Sequence, residues 1–332
     1  MKRINKILSL CVVGVMCVGL LGGCDNKVSD DAYNKEKVTV KVATLKGPTG
    51  MGMVQLMDQN DKEKSEEKYN FEILGSPDQI VGKVINGDVD IAAVPTNLAS
   101  ILYAKTNGEI LYLATNTLGV LHILENGNEI QSFENLKGKK IVATGKGASP
   151  EYILNYLLKK NGINKDVEIE YLQEHSELAA KMAAGEVKIA LLPQPFVTTT
   201  LMKNKDARLA LDLTKEWEKV EGDKNKLVMG CVIVRKEFAE NNKDIVDNFL
   251  KEYEESVKFV NENKEDAAKL IEQYEILPNA KIAELAIDGS NITFINSEDS
   301  KDMVNGFFKI LFNSNPKSVG GKLPDEGFYY SK

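Results

Sequence analysis

Val40-Lys41-Val42-Ala43-Thr44-Leu45-Lys46-Gly47-Pro48-Thr49-Gly50-Met51-Gly52 is the stretch from which the fold is read, because the chain nearly repeats it. The run Val42-Ala43-Thr44-Leu45-Lys46-Gly47-Pro48-Thr49 returns as Val142-Ala143-Thr144-Gly145-Lys146-Gly147-Ala148-Ser149. In each copy an apolar strand enters a glycine-bearing loop and then an apolar-periodic helix. Such a turn leaves the unpaired N–H groups of a helix start facing whatever lies beyond the strand end. Two copies in one chain imply two similar lobes that present similar loops to one site.

The likeness continues downstream. Ser76-Pro77-Asp78-Gln79 starts a helix, with a serine cap, proline in the first turn and glutamine to close a capping box. Gly87 ends that helix, and 89–94 reads as a buried strand broken by Pro95. Aligning 77–95 with 175–193 pairs Lys83 with Lys181, Gly87 with Gly185, Val89 with Val187, Ile91 with Ile189, Ala92 with Ala190 and Pro95 with Pro193. The offsets, 100 for the first stretch and 98 for the second, favour internal duplication. Helices alternating with buried strands predict an α/β fold with mostly parallel sheets and helices on both faces. The expected strands include 38–45, 71–74, 89–94, 140–144, 167–172, 187–192 and 227–235, and 50–59 reads as one helix. Beyond 236 the chain reads as mainly helical to 312, with a polar break at 288–291. Helix 242–263 carries Val246, Phe249, Leu250, Tyr253, Val257 and Val260 on one stripe.

The first residues give an address. Lys2, Arg3 and Lys6 precede an apolar run at 7–21 that is too short for a comfortable membrane span. Leu21-Gly22-Gly23-Cys24 resembles a bacterial lipobox, which implies a signal peptide at 1–23, cleavage before Cys24 and diacylglycerol on its sulfur. The polar stretch 24–37 then reads as a lipidated tether. The expected location is the outer face of the cytoplasmic membrane, held by lipid. Cys11 and Cys17 leave with the signal, so Cys231 is left without an intramolecular disulfide partner and is read as a small core residue.

Composition excludes several classes. The formal net charge is −7, and loss of the three basic signal residues takes it to −10, which argues against nucleic acid as a partner. His122 and His175 have no Cys or His at ligand spacing, so no metal is expected. Gly50-x-Gly52 and Gly145-x-Gly147 lack the full nucleotide-binding spacing and the Lys-Ser/Thr of a phosphate loop, and no cofactor is expected. Ser176 and Glu177 beside His175 are no triad on adjacency alone.

The lipobox, the strand-loop-helix after the tether, Gly87-Asp88-Val89-Asp90-Ile91-Ala92 ending in Pro95, and Leu136-Lys137-Gly138-Lys139-Lys140-Ile141 together resemble one family. It is the solute-binding proteins of ABC importers, in the nitrate/sulfonate/taurine and thiamine-pyrimidine-precursor group. The resemblance covers essentially the whole mature chain. It implies a two-lobed periplasmic-binding-protein type II fold with the ligand in a cleft between the lobes. The lobes would be 38–117 and 236–332 for the first and 118–235 for the second, with crossings near 115–119 and 234–238. Function would be capture of a small organic or anionic solute, delivered to ABC permease subunits by a monomer, with no covalent chemistry. The alternatives are an enzyme on the same fold acting on a pyrimidine-like heterocycle, or a surface sensor lipoprotein. Eukaryotic pyrimidine synthases of this fold rely on a cysteine-rich motif that this chain lacks.

Candidate ligand residues are Gly47, Pro48, Thr49, Gly50, Met51, Thr96 and Asn97 in the first lobe. In the second they are Gly147, Ala148, Ser149, Gln194 and Phe196, with Asn116 and Thr117 where the chain should cross the cleft mouth. Thr49 and Ser149 either contact a ligand or cap their helices. Thr96-Asn97 either bind or simply turn the chain after Pro95, and Met51, Met53 and Phe196 either wall a ligand or belong to the core. Lys46 and Lys146 occupy matched positions and would favour an anion if both turned inward; otherwise they are solvated.

Overall fold

The computed structural model describes residues 38–222 and 225–331, and these form one compact unit. The expected signal peptide, lipobox and tether lie outside the described residues.

The first lobe begins β1 (Thr39–Leu45), α1 (Pro48–Met51), α2 (Val54–Asp61), β2 (Lys68–Leu74), α3 (Pro77–Asn86), β3 (Ile91–Pro95), α4 (Thr96–Lys105) and β4 (Ile110–Thr117). The chain crosses to β5 (Leu121–Asn126), β6 (Lys140–Ala143), α5 (Ser149–Lys160), β7 (Glu168–Tyr171), α6 (His175–Ala183), β8 (Ile189–Pro193), α7 (Phe196–Lys203), β9 (Ala207–Asp212) and α8 (Leu213–Glu221). It returns as β10 (Gly230–Arg235), α9 (Lys236–Asn241), α10 (Lys243–Glu262), α11 (Lys264–Gln273), α12 (Ala280–Ala286), β11 (Ile292–Asn296) and α13 (Ser297–Ser314).

One sheet has the order β11-β4-β10-β3-β1-β2 and the other β7-β6-β8-β5-β9. The order β2-β1-β3 is therefore repeated by β7-β6-β8, parallel in both, with Val42 beside Ile91 and Val142 beside Ala190. Gly47 and Gly147, matched in the repeat, both have positive φ (114° and 79°), where a side chain would be strained. Each sheet is parallel on one side only. The strand that enters after a crossing runs against its neighbours: β10 against β3 and β4, β5 against β8 and β9.

Four expectations change. Residues 230–235, expected at the end of the second lobe, lie inside the six-stranded sheet as β10, so the return crossing precedes Gly230. Residues 227–229, expected as the start of that strand, belong to the crossing. The helix expected at 50–59 is broken at Gly52 and Met53, because Ser256 on α10 donates to Gly52 O (2.8 Å) and accepts from Leu56 N (3.2 Å). A tertiary serine thus takes over backbone groups that a continuous helix would pair internally. Finally, β11 interrupts the stretch read as helical and pairs with the edge of β4.

Packing divides unequally. One apolar cluster runs through both lobes, joining Leu45 and Val94 of the first to Ile141, Leu157 and Trp217 of the second through Phe307 and Phe308 of α13. A second cluster, with Met51, Met53 and the α10 stripe, belongs to the first lobe, and a third, around Leu178, Met182 and Val197, to the second. Cys231 lies in the shared cluster, fully buried, and burial pushes its thiol pKa far up. Among the described residues no helix is long and apolar enough to cross a membrane.

Candidate functional site

The segments that join the lobes run side by side. Met229 N donates to Thr117 O (2.9 Å) and Thr96 N to Met229 O (3.1 Å). Gly119 fits because it has no side chain: a Cβ there would lie 2.0 Å from Thr214 Oγ1. Asn291 clamps the outgoing segment from the first lobe. Its side chain donates to Gly119 O, and its carbonyl accepts from Leu118 N (3.1 Å).

The sequence-derived residues fall into three places. Met51, Thr96, Asn116 and Thr117 are inside the first lobe or its joint, nearly or wholly buried. Met51 packs in the first lobe's core together with Met53. Thr117 Oγ1 donates to Asn116 Oδ1 (3.1 Å), while Asn116 Nδ2, Thr96 Oγ1 and Tyr253 Oη have no hydrogen-bond partner among the described residues. Thr49 Oγ1 donates back to Leu45 O (3.4 Å), and Gly50 sits so close to Leu45 O that a Cβ would lie 2.5 Å from it. Pro48 supplies the first turn of α1.

A second group meets across the lobes. Ser149 Oγ, at the start of α5, donates to Asn97 Oδ1 of α4 (2.8 Å), and Asn97 Nδ2 donates to Ser318 O of the C-terminal tail (3.3 Å). Gln194 precedes a cis peptide bond to Pro195 and accepts from Thr198 N (3.2 Å) and Thr198 Oγ1 (2.9 Å). It also reaches the first lobe, since a Cβ on Gly289 would lie 2.6 Å from Gln194 Nε2. Ala148 caps α5, and Gly147 N donates to Glu151 Oε2 (2.5 Å), so the chain's own carboxylate occupies that part of the loop. Lys146 is exposed, its Nζ 5.9 Å from the Tyr171 ring centroid of its own lobe.

The third group lines a cavity of about 370 Å³ between the lobes. From the first lobe come Lys46, Gly47, Ile276, Leu277, Pro278 and Ile282. From the second come Ser176, Ala179, Ala180, Pro195, Phe196, Thr199 and Lys203. Of the sequence-derived set, Gly47 and Phe196 are here, with Lys46. Ser176, Thr199, Lys203 and the 276–282 turn were not foreseen. The turn did carry a local signal: Pro278 stops one helix and Asn279 caps the next by accepting from Ile282 N (3.2 Å). Nothing local shows that it faces the other lobe.

His175 supports the cavity wall. Its ring lies 5.4 Å from that of Phe196, and its Nδ1 is hydrogen-bonded to Thr144 Oγ1. Burial lowers the pKa of His175, and burial also lowers that of His122, whose Nδ1 is 3.1 Å from Val120 O. Unfolded histidine titrates near 6.5. Below that pH the unfolded chain binds more protons than the folded one, so stability falls as pH falls. A lower urea midpoint at pH 5.5 than at 7.5 is expected, with the difference reduced in His175→Gln. Equal midpoints would show that both rings charge freely in the fold. Among the described residues no cluster of three His, Cys, Asp or Glu side chains is placed to hold a metal.

A family model described as menaquinone biosynthesis matches residues 51–312. No curated protein matches the chain. Among solved structures, an ABC transporter protein from Parabacteroides distasonis superposes with a TM-score of 0.74 at 23% identity, covering 89% of this chain and 99% of its own. The periplasmic aliphatic sulphonate binding protein of Escherichia coli gives 0.70 at 19% identity, over 88% and 92%. The periplasmic nitrate-binding protein of Synechocystis gives 0.56 at 13% identity, over 80% and 74%. The fold is thus the two-lobed one of ABC-importer binding proteins.

Proposed function

The chain belongs to the family described as menaquinone biosynthesis, and because its fold is that of ABC-importer binding proteins we propose that it is an extracytoplasmic solute receptor. The observation that carries this reading is the cavity, whose wall is contributed by both lobes, so that closure and capture are one event. Gly47 and Phe196 contact the solute there, Ser149 and Asn97 hold the lobes together, and ABC permease subunits recognise the closed form. Cys24 carries the lipid that keeps the monomer at the outer face of the membrane. Incorporation of labelled palmitate, lost in Cys24→Ser, checks the anchor.

The family description favours a second reading, an enzyme of the pathway it names. What supports the receptor instead is the lining, which among the described residues holds hydroxyls and two lysines but no Cys, His, Asp or Glu. A thermal-shift panel of sulfonates, nitrate, thiamine precursors, flavins and aromatic acids separates the two. A solute at a hundred times its Kd adds about 2.7 kcal/mol, or roughly 5 °C. Mass spectrometry of the hit after incubation should return it unchanged. A converted hit would establish the enzyme.

A further inference from the structure

Building on the receptor reading, we propose that the cavity selects an organic anion with a bulky apolar body, held between Lys46 of the first lobe and Lys203 of the second. Ala179, Ala180, Phe196, Leu277 and Ile282 give the cavity an apolar wall. A ring or branched hydrocarbon body gains by displacing water from such a wall. At about 370 Å³ the space suits a compact organic molecule. A small inorganic oxyanion would leave most of it filled with water.

The charges are one-sided. Lys46 comes from the loop after β1 and Lys203 from the last turn of α7, and among the described residues no carboxylate lines the cavity. Neither lysine forms an ion pair with another described residue. A zwitterion that carries an ammonium group would surrender its hydration there without meeting an opposite charge. Bringing the lobes together gathers two like charges at one cavity, which disfavours closure. An anion between them removes that repulsion and gains charge-assisted hydrogen bonds from both walls. It is therefore bound more tightly by the closed form than by the open one, and this differential is what drives closure. The sequence repeat pairs Lys46 with Lys146, but Lys146 lies against Tyr171 instead. The second positive charge comes from a helix outside the repeated stretch.

The test uses residues 25–332, which hold the whole compact unit of described structure. Titration calorimetry is run with naphthalene-2-sulfonate, its neutral sulfonamide, taurine and nitrate. The sulfonate should bind at least about tenfold more tightly than the sulfonamide, and more weakly as salt rises. Taurine and nitrate should give no saturable heat. Lys46→Gln and Lys203→Gln should each weaken the sulfonate by about tenfold and leave the sulfonamide unchanged. Equal binding of sulfonate and sulfonamide, or lysine variants without effect, would overturn the proposal. So would binding of nitrate or taurine without the naphthalene probes, or silence with all four. None of these outcomes touches the receptor reading, which fails separately if a bound probe is recovered chemically changed.

Discussion

Trp217→Ala is expected to destabilise the protein by about 3–5 kcal/mol and to lower its melting temperature by roughly 10 °C. Trp217 is the chain's one tryptophan and is fully buried. Its ring centroid lies 5.2 Å from that of Tyr156 in its own lobe and 5.9 Å from that of Phe307 in the other. Its Nε1 donates to Asn225 O (2.6 Å), on the segment that returns to the first lobe. Alanine there opens a cavity in the one apolar cluster that both lobes share, and it strands a carbonyl that had a strong donor. Trp217→Phe keeps most of the volume and loses the hydrogen bond, so about 1–2 kcal/mol is expected from it. Chemical denaturation of both variants is the measurement. A loss below about 1 kcal/mol for the alanine variant would mean that the lobes are not joined through this packing. Because the contact lies between the lobes, the alanine variant should also bind its solute more weakly, the closed arrangement having lost part of its support.

Arg208→Met should cost about 3 kcal/mol, by leaving a buried carboxylate without its counter-charge. Glu125 has no exposed surface, and its carboxylate accepts from Arg208 Nη2 (2.6 Å), Glu129 N (2.8 Å) and Ile130 N (3.1 Å). Arg208 also donates to Ile130 O (2.6 Å) and Gly127 O (3.0 Å), which ties the start of β9 to the turn after β5. The guanidinium is partly exposed, so the cost is set at the lower end of the range for breaking such pairs. Adding Glu125→Gln should restore part of the loss, because it removes the buried charge, while the amide's single oxygen replaces two carboxylate oxygens that each accept from a backbone N–H. If the double variant is no more stable than Arg208→Met, the loss comes from the arginine's packing and backbone bonds. In neither variant should the cavity between the lobes change its solute preference, since this cluster lies at the other end of the second lobe's sheet from Phe196.

The duplicated half-pattern was legible because its causes are local. A buried parallel strand must be apolar along its length, a tight turn into a helix needs glycine where φ is positive, and a helix start needs a cap. These demands fall on neighbouring residues, so they print themselves as Val42-Ala43-Thr44 and Val142-Ala143-Thr144, as Gly47 and Gly147, and as Ser76 with Gln79. The stripe from Val246 to Val260 is buried as its period implied. The family resemblance led to the binding-protein fold; the pathway named by the family model was not anticipated.

Only the tertiary structure decided which of these residues meet. Gly52 ends a helix because a serine two hundred residues away takes its carbonyl, and β10 joins the first lobe because β3 and β4 leave a place between them. Lys46 and Lys146 are equivalent in sequence, yet Lys46 lines the cavity and Lys146 does not. Lys203 reaches the cavity from α7, which follows β8 as α4 follows β3, and Leu277 and Ile282 reach it from the α11–α12 region, which has no counterpart in the repeat. The amino-acid pattern by itself determined two α/β lobes and the loops at their strand ends, since periodicity reports which face of an element is buried. Which loops line a common cavity depends on how one lobe is rotated against the other. That rotation is set by Trp217, Phe307 and Asn291 at the joint, contacts between distant parts of the chain that leave no periodic trace in it.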